Sequence, residues 1–320
     1  AYTYSELLFI GIVLSMPLFN LYSFITTPDT GLLFSAALFL LALKHILKKE
    51  SFLNALFFGL SGALLIYSKY HGGIVILLAI LFKIELLKRW STYVAGLVAL
   101  MLISPHIYWQ YQNDFVTFDY HLFQRAGGGF KTKNIINYVL ATLGVLNPAL
   151  VVLLFLNFKK HKHLKVENKF IIQMFIGFLG FFFLYSFRSK IEAHWVAFCI
   201  IPMSIIIYNL IISNLQLLKP MKYIGVISIA IILVARIVVI IDLPLDTEFH
   251  RDKGSYFNAI SELANGKKVV FVNSYQKASK FSFYENAPSF SDNNVYYRKN
   301  HYDLLDSENV FNNEAVLFIG

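Results

Sequence analysis

Apolar residues fill most of the chain in blocks of about 16–22, separated by short polar stretches. A helical block of that length reaches across a hydrocarbon core of about 30 Å. Nine spans are predicted, at 6–25, 31–47, 52–67, 73–87, 92–108, 135–156, 170–187, 195–212 and 221–241. Several are short for a perpendicular crossing, which a thin or protein-lined bilayer region accommodates. Beyond residue 241 the pattern turns polar and mixed. Ser255 to Ala264 reads as a helix stopped by Asn265-Gly266, and Val269-Val270-Phe271-Val272 as a buried strand. A second helix is expected over Lys277 to Glu285 and a further strand over Ala315 to Ile319. The expected fold is mainly α: a polytopic transmembrane bundle over 1–241, then a small outward-facing α/β domain over 242–320. The chain opens on Ala1 and stops inside an apolar run at Gly320, so it is expected to be a piece of a longer protein, its last domain incomplete.

The polar stretches sort by charge. One alternate set holds Lys44, Lys48, Lys49, Lys83, Lys88, Arg89, Lys159, Lys160, Lys162, Lys165, Lys169, Lys219 and Lys222, thirteen basic residues in all. The other holds Lys69, Arg125, Lys131, Lys133, Arg188 and Lys190, six in all. Basic loops stay in the cytoplasm, so the first set is placed inside and the second set, with the tail, outside. The protein is expected in the plasma (inner) membrane as a multi-pass chain.

Composition narrows the function classes. The chain is 57% hydrophobic and 15% charged, where a soluble domain of this length carries about a quarter charged residues. A net charge of +9 invites a nucleic-acid reading, but the basic residues sit in short loops between apolar blocks. That distribution suits membrane orientation rather than a phosphate-backbone groove, so no nucleic-acid partner is expected. The single cysteine, Cys199, excludes an intrachain disulfide. The tail from Asp242 to Gly320 shows no phosphate-cradling glycine loop, Cys/His metal spacing or nucleophile elbow, and no internal repeat is found.

The outward stretches carry the candidate chemistry. The inner loops resemble charge tags, whereas the outer ones mix acids, bases, aromatics and histidines at helix ends, and converging ionisable groups there suggest a polar site. Asp29 follows a proline and opens an apolar helix, a place where a carboxylate serves as a simple cap or as a ligand for a metal, hydroxyl or acceptor. Lys69 reaches either lipid headgroups or a phosphate, and Arg125 offers a planar fork for the same anion. Gly127-Gly128-Gly129 after Arg125 gives a flexible segment beside it. Glu192 and His194 open the eighth span, and His71 and His194 with an acid leave a shared divalent metal open. Asn113-Asp114 is read as a chain turn.

Several short motifs, in order, resemble one family. Thr27-Pro28-Asp29 with Leu32-Leu33-Phe34, Ser68-Lys69-Tyr70, Pro105 with Trp109, Asn113-Asp114-Phe115 and Arg125, and Glu192-Ala193-His194-Trp195 are the first four. Ala278-Ser279 with Phe283-Tyr284 is the last. They resemble segments of the protein O-mannosyltransferase-like membrane glycosyltransferases of GT-C type, a group that includes the bacterial aminoarabinose transferase of lipid A. The resemblance implies inverting transfer of a sugar from a polyprenyl-phosphate carrier to a lipid, glycan or protein acceptor on the outer face; no cofactor is expected beyond the divalent metal left open above. It implies that Lys69 and Arg125 hold the lipid phosphate, with Tyr70, Glu192 and His194 beside them, and that Asp29 is a functional acid. The family's main catalytic acid lies in an earlier outer loop that this sequence lacks. His71 also departs from the small residue usual after that tyrosine.

Two other classes share part of this pattern. A transporter or flippase predicts ionisable residues near mid-span, for which Arg236 is the nearest candidate. An O-antigen ligase-like enzyme predicts a large outer loop rich in Arg and His, which 109–134 matches only in part. A non-catalytic membrane subunit is a third.

Overall fold

The structure, a computed structural model, describes residues 3–23, 27–120, 129–158, 166–241, 255–294, 297, 299–304 and 315–320. The chain divides into two compact units, Ala1–Leu233 and Val234–Gly320.

In the first unit local signals set each helix start. Thr3 and Glu6 form a reciprocal capping box that opens α1 (Tyr4–Leu14). Pro17 and Pro28 occupy the first turns of α2 (Pro17–Tyr22) and α3 (Pro28–Lys48), where a missing N–H costs nothing. Ser51 accepts from the Asn54 amide at 3.2 Å and caps α4 (Phe52–Ser68). Then follow α5 (His71–Phe82), a 3₁₀ turn at Ile84–Lys88, α6 (Trp90–Gln112) and the single turn α7 (Val116–Asp119). α8 (Thr132–Val145) and α9 (Pro148–Phe158) meet at a bend of 92°. Asn147 makes that bend with a left-handed φ of 72° before Pro148. Its side-chain oxygen accepts from the Ala149 amide at 3.0 Å, while its nitrogen donates to the Ser15 carbonyl at 2.8 Å. One buried asparagine therefore ties the α8/α9 bend to the α1/α2 break. α10 (Val166–Ser186), a 3₁₀ stretch at Ala193–Cys199, α11 (Ile200–Ser213) and α12 (Leu218–Ile240) complete the helical set.

Every predicted apolar block is helical, but not every block is one crossing helix. Among the described residues five helical stretches are long and apolar enough to cross a membrane: 28–48, 90–112, 168–186, 193–213 and 215–238. The α8/α9 pair makes a sixth if it counts as one broken span. Hydropathy runs straight through Ser15-Met16 and Asn147, whereas the backbone breaks there because a proline follows. α1, α4 and α5 are shorter apolar helices. Among the described residues the nine predicted spans thus fall on long helices and on several short or bent ones.

Packing follows membrane rules. α3, α4 and α6 approach through small residues, since two helices in lipid gain little from apolar burial alone. A Cβ on Gly59 would stand 2.5 Å from the Ala95 carbonyl oxygen, and one on Gly31 3.1 Å from the Ser68 hydroxyl. Phe39 stacks on Phe58 at 4.9 Å beside these contacts. Outward faces keep their large apolar side chains, such as Leu97 and Leu100 of α6 and Ile227 and Ile231 of α12. That is the pattern expected of helices solvated by lipid.

The two ends of α3 are tied to different neighbours. At its C-terminus Arg89 donates to the Ile46 carbonyl at 3.0 Å and the Leu47 carbonyl at 3.2 Å, satisfying orphan acceptors. At its N-terminus α3 meets Lys69, where α4 stops.

The second unit is α/β. α13 (Ser255–Ala264) ends at Gly266, with a φ of +79°. β1 (Lys268–Val272) is flanked by β2 (Ser289–Asp292) and β3 (Val316–Ile319) in the order β2-β1-β3, both pairs parallel. α14 (Tyr275–Tyr284) connects β1 to β2 and covers the sheet. Phe257, Ile260, Val269, Phe271, Ala278 and Phe281 form its core. β2 was absent from the expected strands because its buried positions are serines. They are satisfied by hydrogen bonds, as in the 2.9 Å contact between the Ser282 and Ser289 hydroxyls.

Candidate functional site

The site is built on one end of the first unit. Pro28 fixes the first turn of α3, which places Asp29 in that turn, where the helix dipole favours a carboxylate. The Asp29 side chain is only 5% exposed and is paired rather than left as a lone charge. Lys69 Nζ donates to Oδ1 at 2.6 Å, with 17% of the lysine side chain exposed. On the other oxygen, His194 Nε2 stands 4.0 Å from Oδ2. The His194 ring in turn lies 5.9 Å from that of Tyr22. Asp29, Lys69 and His194, far apart in sequence, thus meet at one carboxylate.

Lys69 reaches that position because α4 ends on it in extended backbone, with φ −167° and ψ 141°. The next residue, Tyr70, returns to helical angles and opens α5. A Cβ on Gly72 would stand 2.3 Å from the Leu65 carbonyl oxygen, so the chain folds back there only with glycine. His71, unexplained by sequence, packs its ring against Trp195 at 4.7 Å and Phe182 at 5.0 Å. It belongs to an aromatic cluster that includes Trp195, the neighbour of His194.

Tyr70 points to α6. Its hydroxyl lies 2.6 Å from His106 Nε2 and accepts from Gln110 Nε2 at 2.9 Å. The hydroxyl thus sits between two α6 side chains and is hydrogen-bonded to both. Gln110 also donates to the Thr117 hydroxyl at 2.9 Å. Burial pushes the Tyr70 hydroxyl above its ordinary range, against the lowering influence of Thr117 and Gln110. It therefore stays protonated and able to donate at neutral pH.

Asn113-Asp114-Phe115 is a turn, as its sequence suggests. Asp114 and Phe115 have φ of 52° and 51°, and the Phe115 amide donates to the Gln110 carbonyl at 2.7 Å. Asn113 donates to the Trp109 carbonyl at 2.9 Å. Of the remaining expected site residues, Glu192 pairs with Lys190 at 3.2 Å and is partly exposed. Arg125 lies outside the described residues. Among the described residues no three His, Cys, Asp or Glu side chains converge as a metal site. Asp29 and His194 supply two donors, and His71 does not add a third.

Part of this site lies in a stretch that matches a family model. Residues 5–109 match the family model of the dolichyl-phosphate-mannose-protein mannosyltransferases. No curated protein and no solved structure matches the chain. The matched stretch, about a third of the sequence, contains Asp29, Lys69, Tyr70, His106 and Trp109, while His194 lies beyond it. Together with the apolar helices, the match supports an integral membrane glycosyltransferase of the mannosyltransferase-like, GT-C kind. Sequence reasoning missed His106 and Gln110, which sit in or just past an apolar block. Their i, i+4 spacing, which puts both on one helix face, was the available signal.

Proposed function

We propose that the protein moves a sugar from a polyprenyl-phosphate donor to a lipid, glycan or protein acceptor on the outer face of the plasma membrane. The observation that carries the reading is the meeting of Lys69, Asp29 and His194 at one end of the helices. In this reading Lys69, with Arg125, holds the lipid phosphate. An acceptor hydroxyl attacks the anomeric carbon, the bond from that carbon to the phosphate oxygen breaks, and the electron pair leaves on the phosphate. A cation beside that oxygen stabilises the charge as it develops. The acceptor proton passes to a carboxylate, and Asp29 orients the acceptor and holds Lys69 until the phosphate arrives. The greater basic charge of the opposite loops supports the outward placement.

The test is transfer from a polyprenyl-phosphate-linked sugar by the full-length protein in membranes. Loss of a charge-assisted contact costs about 1.5–3 kcal/mol, so Lys69→Ala and Arg125→Ala should each lower transfer roughly ten- to hundredfold. Unchanged transfer by both variants overturns the assignment.

A further inference from the structure

The turn that presents Lys69 has a second anchor. Lys69 and Tyr70 are adjacent, yet their side chains part company: the lysine goes to Asp29 on α3 and the tyrosine to α6. The lysine anchor is ionic and is the one a phosphate would compete for. The tyrosine anchor is a pair of hydrogen bonds and contains no ion pair. It consists of the 2.6 Å contact to His106 Nε2 and the 2.9 Å contact from Gln110 Nε2.

Both partners are themselves fixed. The His106 ring stacks on Trp109 with an interplanar angle of 11° and faces Tyr67 at 6.0 Å. Gln110 is 1% exposed and bridges from Tyr70 to Thr117 on α7. Its Oε1 is buried without a hydrogen-bond partner among the described residues. A buried amide left half-satisfied is unfavourable, and such groups in a folded protein call for an explanation beyond stability. Here the amide nitrogen is spent on Tyr70 and Thr117, which explains why a polar side chain is held at that depth.

We propose that His106 and Gln110 are positioning residues that act through the Tyr70 hydroxyl, holding the Lys69–Tyr70 turn in place so that Lys69 meets the donor phosphate when it leaves Asp29. This rests on the reading of Lys69 as the phosphate ligand. Neither His106 nor Gln110 touches the donor; each sets where the lysine stands. The expected signature is therefore in donor affinity and not in the chemical step.

The experiment measures the apparent KM for a polyprenyl-phosphate sugar, and kcat, with the full-length protein in membranes. His106→Ala removes one hydrogen bond of the Tyr70 hydroxyl and Tyr70→Phe removes both, so His106→Ala should raise KM roughly fivefold and Tyr70→Phe by at least as much, with kcat within about twofold. His106→Gln, which can again hydrogen-bond to the tyrosine, should recover most of the loss. The double variant should be no worse than Tyr70→Phe alone by more than about twofold, because both act on one contact. Where His106→Ala fails to accumulate, His106→Phe preserves ring volume against Trp109 and carries the same test. An unchanged KM, a fall in kcat alone, or losses that multiply in the double variant overturns the proposal. Lys69→Ala, run alongside, separates the two readings. If it retains transfer, the phosphate assignment has failed. If it loses transfer while the His106 variants behave as wild type, only the positioning role has failed.

Discussion

At the scale of single residues, the Lys69–Asp29 pair is asymmetric, and the asymmetry has a measurable consequence. Both charges are largely withdrawn from water, but Asp29 is the deeper, at 5% exposure against 17%. A lysine that loses its partner swings its flexible stem toward the interface, whereas a carboxylate fixed in the first turn of a helix cannot. Lys69→Met should therefore destabilise more than Asp29→Asn, the former by the roughly 3–5 kcal/mol of an uncompensated buried charge. The double variant, with no charge to strand, should lie close to wild type in a thermal unfolding series in detergent. Equal losses for the two single variants would show that Asp29 is compensated elsewhere, with His194 at 4.0 Å the nearest group. Asp29, Lys69 and His194 were legible in the sequence because charged residues at the ends of apolar blocks stand out. His106 and Gln110 were not, because their partner lies 36 and 40 residues away and only folding joins them. The sequence could not say, either, that His71 serves an aromatic cluster.

At the scale of helices, glycines separate positions that need close approach from positions that merely tolerate it. Gly59 and Gly62 lie within one turn of α4 and look alike in sequence. In the structure a Cβ at Gly59 would meet the Ala95 carbonyl oxygen at 2.5 Å and Val98 Cβ at 2.9 Å. At Gly62 the nearest atoms are 3.9 Å away, an ordinary contact. Gly59→Ala must push α6 off α4 and should cost about 1–3 kcal/mol. Gly62→Ala should be neutral or stabilising by up to about 1 kcal/mol, from helix propensity alone. Unfolding midpoints of the purified variants check both, and similar behaviour of the two would contradict the α4–α6 packing. Helix existence was legible throughout, since apolar blocks of this length have few other solutions in lipid. Helix breaks were legible where polar residues separate the apolar blocks, as at Lys49 and Lys69, and were missed at Pro17 and Pro148, where the apolar run continues through the break. β2 escaped because hydroxyl hydrogen bonds replace the apolar alternation a strand normally shows.

At the scale of the molecule, the first unit sorts its chemistry to two ends. Asp29 and Lys69 meet at one end of α3, and Ile46, Leu47, Glu50 and Arg89 meet at the other. The route between the two ends from Tyr70 to Arg89 is short. α5 has 12 residues, about 18 Å of helix, and the five-residue 3₁₀ turn adds about 10 Å, so together they just match a hydrocarbon core. The proposed orientation puts the Arg89 end, whose set of loops holds thirteen basic residues against six in the other, in the cytoplasm. Single cysteines read that assignment directly. In a Cys199→Ala background, Lys190→Cys, at a side chain 67% exposed, should react in intact cells with a membrane-impermeant maleimide. Lys49→Cys should react only after the membrane is opened. The reverse pattern would put Asp29, Lys69 and His194 in the cytoplasm, where a donor and acceptor presented outside could not meet them, and the proposed reaction would have no place to occur.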